Sequence, residues 1–315
     1  MKLEERPDTT ERGNPITFPE IVSTISQFTG IPHAEAEVRV WNEILEPGWN
    51  VRRDVERFGV NPFQFDDHMV CLYQDGDGFI FESLLFWARP IRQSWIRHAL
   101  DRIQTHAERT ASQIGDLQVL IFGDGPGNDS LFLGHSGVTV HYHEVPGSRT
   151  YDFAVARFRR SGLWETRILP VESPLSQINE KYDVVASFEV LEHLPDPLAA
   201  IAQMSSMLKT GGLALITDDF GDLTPSLPTH LRSSARYLGA TPFLFVKHGM
   251  RLTWYSTDEL FKPYEFTKSE CASPWRDWIS LMRDQNVRAH YLSRPFGRLA
   301  RSIAKLPYFR LSHAR

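Results

Sequence analysis

The chain has 315 residues, of which 42% are hydrophobic and 23% are charged, and its formal net charge at pH 7 is -5. This length suits a Rossmann-sized domain with a smaller appended unit, and the weakly negative charge provides no basic field to gather nucleic acid. The two cysteines, Cys71 and Cys271, lie far apart in the chain, so the sequence predicts neither a disulfide framework nor a zinc site.

The first segment of the chain is polar. Residues 1–16 are rich in charges, contain proline and have few aliphatic side chains, which is typical of disorder. They lack the apolar stretch of a signal peptide, and the chain contains no apolar run long enough to span a membrane. We therefore expect a cytoplasmic protein.

Residues 17–110 are predicted to form a helical unit that packs on the main domain. Apolar side chains recur at helical spacing in segments 18–28 and 34–45. Segment 79–103 is apolar and basic, and its charges argue against a membrane span, while Pro90 should kink the helix.

Aromatic side chains are frequent in this helical unit. They include Phe63, Phe65, Tyr73, Phe86, Trp87 and Trp95. Such residues could line a small-molecule pocket under a helical lid, although packing within the core of the unit is the simpler interpretation.

The periodicity of the sequence changes in the next part of the chain, residues 111–284. Short apolar runs alternate there with segments able to hold helices, and the runs are 119–122, 138–142, 167–171, 183–187 and 213–217. This alternation predicts an α/β fold with a mostly parallel, doubly wound sheet. Segments 243–246 and 251–255 flank His248 and Gly249, and we expect them to pair as an antiparallel hairpin.

The C-terminal segment, residues 285–315, is basic. It contains seven arginine and lysine residues and no acidic residue, and Phe296, Leu299, Ile303 and Leu306 fall on one helical stripe. A solvated or domain-docked helix is the simpler interpretation. The pattern also fits an interfacial helix that makes peripheral membrane contact and reaches a lipid-linked acceptor.

A glycine-rich turn follows the first predicted strand in the motif VLIFGDGPGNDSLFL. Gly123, Gly125 and Gly127 let the backbone turn sharply and approach a ligand, and the next helix offers oriented N–H groups. Glu144 closes the following strand, where a carboxylate can accept both hydroxyls of a ribose. The pattern predicts a nucleotide-type cofactor site, with a glycine turn beside a surface glutamate as the alternative. Asn128 stands where the NAD fingerprint expects a third glycine.

A second motif lies in residues 182–217, YDVVASFEVLEHLPDPLAAIAQMSSMLKTGGLALIT. It combines Asp183 at the start of a strand, an E-V-L-E-H turn, a helix, and Lys209 before a pair of glycines. Together with the glycine turn, it closely resembles the class I S-adenosylmethionine-dependent methyltransferases, particularly those of ubiquinone and menaquinone biosynthesis. The resemblance covers residues 117–220 and implies a seven-stranded Rossmann-like fold, S-adenosylmethionine as cofactor and a small-molecule acceptor.

The resemblance also implies a set of cofactor-binding residues. They are Gly123, Gly125, Gly127, Glu144, Glu172, Ser187 and Phe188. In the family, residues at the glycine positions contact the methionine and ribose portions of the cofactor, and the acid at the end of the second strand binds the ribose hydroxyls. By the same resemblance, Glu172 would stand near the adenine, and Ser187 and Phe188 would flank the sulfonium.

The chain departs from the family pattern at two positions. The family usually has an acidic residue two positions before the first glycine, where this chain has Ile121, so that anchor is missing or replaced by Asp124. The acid after the third strand is usually an aspartate, and Glu172 is an approximate match.

Candidate catalytic residues follow the fifth predicted strand. His230 is the leading candidate for a general base, because its segment lies at the carboxyl edge where doubly wound sheets bind ligands. Asp218 could orient an acceptor. A capping or loop role for His230 and a solvated position for Asp218 are the alternatives. Glu189, Glu192 and His193 lie within one turn and could converge on a metal ion. The adjacent Glu192 and His193 would not share a helical face, however, so we expect structural or cofactor-shaping roles and no metal.

The sequence therefore predicts a methyltransferase that acts on a small molecule, with an oxygen or carbon acceptor preferred over nitrogen because of His230. One alternative is an NAD(P)-dependent oxidoreductase that uses the same glycine turn. The other is a non-catalytic module with a cofactor fold, which the altered residue Ile121 leaves open.

Overall fold

The computed structural model describes residues 17–174, 177–179, 181–256, 263–270, 273–284 and residue 287. The predictions of disorder in residues 1–16 and of a basic helix in residues 285–315, with its membrane contact, concern segments outside this description, apart from Val287.

Six helices precede the first strand. They are α1 (Phe18–Thr29), α2 (His33–Leu45), α3 (Trp49–Phe58), α4 (Asp67–Asp75), α5 (Gly78–Trp87) and α6 (Pro90–Thr110). Local signals set several of their ends. Thr17 and Glu20 form a capping box at the start of α1, and the Asp66 side chain accepts a hydrogen bond from the Met69 N–H at the start of α4.

The predicted kinked helix is in fact two helices. Pro90 occupies the first turn of α6, where its missing N–H and fixed φ are favourable, and the chain breaks after Trp87. This break limits α5 to 10 residues, and none of the described helices is both long and apolar enough to cross a membrane.

The described strands form one seven-stranded sheet. The remaining elements are β1 (Gln118–Phe122), α7 (Asn128–His135), β2 (Thr139–His143), α8 (Arg149–Arg160), β3 (Ile168–Val171), β4 (Tyr182–Phe188), α9 (Pro197–Met207), β5 (Leu208–Thr217), α10 (Thr241–Lys247), β6 (Met250–Tyr255), β7 (Tyr264–Lys268) and α11 (Pro274–Arg283). The strand order is β3-β2-β1-β4-β5-β7-β6, and β7 runs in the direction opposite to the other six strands. The predicted fold class is confirmed.

The point at which the strand order reverses lies between β1 and β4. The chain moves outward from β1 through β2 to β3 and then returns to place β4 on the other side of β1. In doubly wound sheets the crevice outside the carboxyl ends of such strands binds ligands. The segments that follow β1 and β4 therefore meet at this crevice.

The predicted hairpin is wrong in one of its two strands. Segment 243–246 lies in α10, and β6 pairs instead with β7, whose register places Leu252 opposite Phe266. A short apolar run fits a helix as well as a strand, and Pro242 favours the first turn of a helix. As a helix, the segment packs on the sheet, where the Phe245 ring stacks on the Phe266 ring with a centroid distance of 4.5 Å.

The core divides into two layers because side chains alternate across a strand. From β1, Val119 and Ile121 enter a cluster with α1, α2, α5, α6, α7 and α8, whereas Leu120 and Phe122 enter a cluster with α9 and α10. Helices α1, α2, α5 and α6 thus share one apolar layer with the sheet, whereas α3 and α4 pack around a separate small cluster. The N-terminal helices are held where they form a helical cover over the crevice.

Packing around the third glycine of the turn generates a stability prediction. The backbone of Gly127 has φ +79, and an added Cβ would lie 2.3 Å from the Phe158 ring. Gly137 has φ +89 with nothing within 4 Å of such a Cβ. We expect Gly137→Ala to lower the free energy of unfolding by about 1 kcal/mol through backbone strain, and Gly127→Ala by about 3 kcal/mol because overpacking adds to it.

Urea denaturation of the two variants beside the parent protein measures this difference. Equal losses at both positions would show that Gly127 is needed for its backbone conformation alone and not for close packing on α8.

Candidate active site

A cavity of about 670 Å³ lies at the crevice. Its floor is formed by Gly123, Asp124 and Gly125 after β1, by Glu144 after β2, and by the residues that end and follow β4. Helices α4, α5 and the start of α6 line the opposite side, and the segment after β5 contributes Asp219, Leu227, Thr229 and His230. The cavity therefore joins the predicted cofactor turn to the predicted catalytic segment.

The glycine turn needs three residues with left-handed backbone. Gly123, Gly125 and Gly127 have φ values of +75, +54 and +79, which side chains rarely tolerate. A Cβ at Gly123 would lie 2.7 Å from the Val190 side chain, whereas at Gly125 the only atom within 4 Å is a Glu144 carboxylate oxygen, at 4.0 Å. Gly125 thus leaves open space in the cavity.

Glu144 fixes the shape of this turn. Its Oε2 accepts a hydrogen bond of 2.7 Å from the Gly125 N–H, and its Oε1 accepts one of 2.9 Å from the Val145 N–H. Burial raises the pKa of this carboxyl group above its ordinary value. Each oxygen keeps a further lone pair, so Glu144 can hold the turn and still accept hydrogen bonds from a ligand.

The two departures from the family pattern have structural explanations. Ile121 is buried in the apolar layer beneath α6 and α7, so no polar anchor exists at that position. Asp124 lines the cavity and caps α7 by accepting hydrogen bonds from the N–H groups of Asp129 and Ser130, at 3.0 and 2.7 Å. Burial and the neighbouring Asp129 raise the pKa of Asp124 to about 7.

Arg92 is a site residue that the sequence interpretation missed. It lies on α6, is only 7% exposed and lines the cavity. Its Nη2 donates to the Asp129 carboxylate at 2.6 Å, while its Nη1 is buried without a hydrogen-bond partner among the described residues. A buried guanidinium with an unused donor is costly unless a ligand supplies an acceptor.

The position of Arg92 is fixed by aromatic rings. Its Cζ lies 5.3 to 5.9 Å from the ring centroids of Phe86, Trp87, Trp95 and Phe188. The signal in the sequence was an arginine inside the aromatic stretch FWARPIRQSW, which was used only to argue against a membrane span. An anionic group, such as a ligand carboxylate, would complete this site.

Four predicted site residues lie outside the cavity lining. Gly127 packs on α8, and the exposed Glu172 accepts a hydrogen bond from the Tyr151 hydroxyl at 2.9 Å. Ser187 is fully buried beneath the end of β4. Asp218 is buried and accepts a hydrogen bond of 2.6 Å from the Thr241 hydroxyl, so its carboxylate holds the start of α10. The structure brings the other predicted residues, Gly123, Gly125, Glu144, Phe188 and His230, to the cavity.

His230 lies beside His193. Both line the cavity, and their rings meet edge to face with centroids 4.8 Å apart. The Nδ1 of His193 lies 3.2 Å from the Thr229 carbonyl oxygen and 3.2 Å from the Tyr73 hydroxyl. A carbonyl oxygen only accepts, so Nδ1 carries the proton in this bond and Nε2 keeps its lone pair. The pKa of His193 is lowered to about 3, mainly because the ring is buried and also because His230 lies beside it.

Glu192 joins the two histidines. It lies in a 3-10 turn, Leu191–His193, and its backbone carbonyl accepts a hydrogen bond of 3.0 Å from the Leu231 N–H, which brings the His230 segment alongside. Its buried carboxylate oxygens have no hydrogen-bond partner within the described part of the chain, and burial, with the nearby Glu189, raises its pKa strongly.

These three residues could hold a metal ion. Ligand atoms of Glu192, His193 and His230 lie within 4.8 Å of one another, and two imidazoles with one carboxylate form a donor set that suits divalent first-row metals. Glu192 and His193 lie in a 3-10 turn rather than an α-helix, so the requirement that ligands share a helical face does not apply to them.

The predicted aromatic residues divide between wall and core. Phe65, Tyr73, Phe86 and Trp87 line the cavity together with Phe79, whereas Trp95 is buried and outside the lining. The backbone of Phe63 bonds to the segment opposite, donating to the Pro228 carbonyl at 2.8 Å and accepting from the Arg232 N–H at 3.0 Å. These bonds fasten the helical cover to the segment that carries His230.

Comparison with known proteins identifies the family of the chain. The model of the methyltransferase domain family matches residues 91–263, which is more than half of the chain. Ubiquinone biosynthesis O-methyltransferases from Psychrobacter cryohalolentis and Bordetella pertussis are each 28% identical to the chain, over 134 and 124 residues. The matches cover 41% and 39% of this chain and 52% and 46% of those proteins. The chain thus spans about half the length of the curated relatives it matches.

Solved structures show weaker similarity. Magnesium protoporphyrin IX methyltransferase from Synechocystis has a TM-score of 0.41 at 19% identity, covering 65% of this chain and 99% of that one. An O-methyltransferase from a trans-AT PKS multienzyme of Brevibacillus brevis has a TM-score of 0.37 at 14% identity, covering 66% and 71%. The assignment does not depend on these scores. Because the family model covers more than half of the sequence, including β1, the glycine turn, β4 and β5, the chain belongs to the methyltransferase domain family.

Proposed function

We propose that this protein transfers a methyl group from S-adenosylmethionine to a hydroxyl oxygen of a small-molecule acceptor. The observation that carries the proposal is a single cavity that contains the Gly123–Gly125 turn with Glu144 at one wall and the His193–His230 pair at another. The ubiquinone biosynthesis O-methyltransferases among the relatives support the choice of oxygen over carbon or nitrogen.

The residues of the cavity fit this cofactor. Gly125 leaves space beside the Glu144 carboxylate, which has lone pairs for ribose hydroxyls. Arg92 offers an unused Nη1 to the carboxylate of the methionine portion. When bound, S-adenosylmethionine supplies an electrophilic methyl group on a positively charged sulfur, which suits a cavity lined by more carboxylates than cations.

The chain itself aligns the acceptor and removes its proton. The helical cover excludes water, and displacement reactions gain most from fixed alignment of the reacting groups. We assign His230 as the general base, oriented by its edge contact with the neutral His193 ring. His193 is a positioning residue that is itself held by the Thr229 carbonyl oxygen.

A second role of the same cluster is supported by its donor set. A divalent cation on Glu192, His193 and His230 would polarise the acceptor hydroxyl and reduce the need for a base. The two roles differ in their response to chelation of the metal ion, and turnover measured with and without EDTA distinguishes them.

The alternatives have less support. For a dinucleotide, the third glycine position holds Asn128, whose side chain accepts a hydrogen bond of 2.8 Å from Arg157 and reaches the Ser83 carbonyl oxygen at 3.4 Å. A non-catalytic module gives no reason for two imidazoles, a carboxylate and an arginine around one cavity.

The first prediction concerns Glu144. We expect Glu144→Ala to weaken binding of S-adenosylhomocysteine by about 10-fold to 100-fold, because charge-assisted hydrogen bonds to the ribose are lost. Glu172→Ala is the control, and its affinity should stay within about twofold of the parent because Glu172 lies outside the cavity. Calorimetric titration measures both. An unchanged affinity in folded Glu144→Ala protein would remove this residue from the cofactor site.

The second prediction concerns Arg92. We expect Arg92→Met to lower the affinity for S-adenosylhomocysteine by about 10-fold or more, while 5'-methylthioadenosine, which lacks the carboxylate, should lose little. Calorimetry with the two ligands separates carboxylate binding from a general disturbance of the Arg92–Asp129 pair, because a disturbed site would lose affinity for both. Parallel losses would contradict the assignment.

The third prediction concerns His230. With an acceptor chosen from a panel of phenols and anilines, we expect His230→Ala to reduce phenol methylation by about 100-fold and aniline methylation much less, because a neutral amine can lose its proton after attack. The measurement is turnover with and without EDTA. Insensitivity to EDTA supports the base, and loss of turnover that Zn²⁺ or Mg²⁺ restores supports the metal role. Full turnover in the variant with both acceptors would contradict both.

A further inference from the structure

Helix α5 presents a carboxyl group to the cavity within an otherwise largely apolar stripe. Phe79, Glu82 and Phe86 follow one another at helical spacing on this helix, and all three line the cavity. Across the described residues, no group donates a hydrogen bond to the Glu82 carboxyl or forms an ion pair with it. A carboxyl group in such a place costs folding free energy unless a ligand pairs with it.

The neighbouring acid in the cavity wall is already occupied. Glu43 accepts hydrogen bonds from the backbone N–H groups of Gly48 and Asn50 and from the Asn50 side chain, so it serves the turn between α2 and α3. Glu82 accepts no comparable hydrogen bond from the described residues. The two carboxyl groups line the same cavity, but only Glu82 is left to pair with a molecule inside it.

The charges around Glu82 indicate which ligand group it prefers. Burial is the main reason that the pKa of Glu82 rises to about 8, and the nearby Glu43 raises it further. The positive charges of Arg89 and Arg52 lower this pKa. A neutral hydroxyl can bond to this group in either protonation state. An ammonium group would also face the two arginines, and an anion would face the excess of carboxylates around the cavity.

We infer that Glu82 selects the acceptor by binding a second, neutral hydroxyl group of an apolar or aromatic molecule whose first hydroxyl lies at His230. The inference rests on the proposed function and specifies its substrate class: an uncharged acceptor with two separated hydroxyl groups and an apolar body. The rings of Tyr73 and Phe79, stacked with centroids 5.0 Å apart, and those of Phe86 and Trp87 provide apolar surface for that body.

The test uses four probes that differ at one end. They are 4-propylphenol, 4-(3-hydroxypropyl)phenol, 4-(3-aminopropyl)phenol and 3-(4-hydroxyphenyl)propanoate, each titrated calorimetrically into the full chain saturated with S-adenosylhomocysteine. We expect the hydroxypropyl probe to bind about 5-fold to 10-fold more tightly than the propyl probe, and the propanoate to bind most weakly.

Variants at Glu82 assign the preference to this residue. Glu82→Leu should abolish the tighter binding of 4-(3-hydroxypropyl)phenol relative to 4-propylphenol, and it should strengthen binding of 4-propylphenol. Glu82→Gln should retain part of the difference between the two probes. Glu37→Leu, at an exposed position on α2, is the matched control and should behave as the parent. Because Glu82 has no hydrogen-bond or ion-pair partner among the residues that the structure describes, Glu82→Leu should also raise the melting temperature, whereas a structural glutamate would lower it.

The outcomes separate the two proposals. Absence of S-adenosylhomocysteine binding by the parent protein would overturn the proposed function. If that ligand binds but the propyl probe binds as tightly as the hydroxypropyl probe, or neither binds, the assignment of Glu82 is overturned alone. A lower melting temperature for Glu82→Leu would overturn it as well.

Discussion

The bend after β1 is the constraint on which the site depends. Three residues with left-handed backbone, Gly123, Gly125 and Gly127, turn the chain within a few positions from the sheet into α7. The bend is held by the hydrogen bond from the Gly125 N–H to Glu144 and by close packing of Gly127 on Phe158. Because glycine carries no Cβ, the backbone can approach both neighbours and still leave open space at Gly125.

The second feature of the site is the way in which helices of the N-terminal unit complete it. Arg92 reaches from α6 to Asp129 on α7, and Tyr73 reaches from α4 to His193. The covering helices therefore contact both the helix that follows the glycine turn and the histidine pair directly. A buried cation beside the turn and a polar pair beside His230 give the two ends of the cavity different chemical characters, as the proposed transfer between two different ligands requires.

Part of this organisation could be predicted from the sequence. The five parallel strands and the glycine turn follow from local periodicity and from glycine spacing, and the position of Glu144 follows from the length of one strand-helix-strand unit. The segment that became α10 was misassigned because a short apolar run carries the same local signal in a helix and in a strand. Its conformation depends on the face of the sheet that it covers.

The sequence by itself thus determined the fold class, the family resemblance and the residues of the turn, because these depend on near neighbours in the chain. Only the tertiary structure decided that Arg92 has an unused donor in the cavity, that His193 and His230 meet, that Asp218 holds α10, and that Glu82 lines the cavity. Those facts depend on contacts between segments far apart in the chain, and such contacts are set by packing and burial, which local sequence patterns do not record.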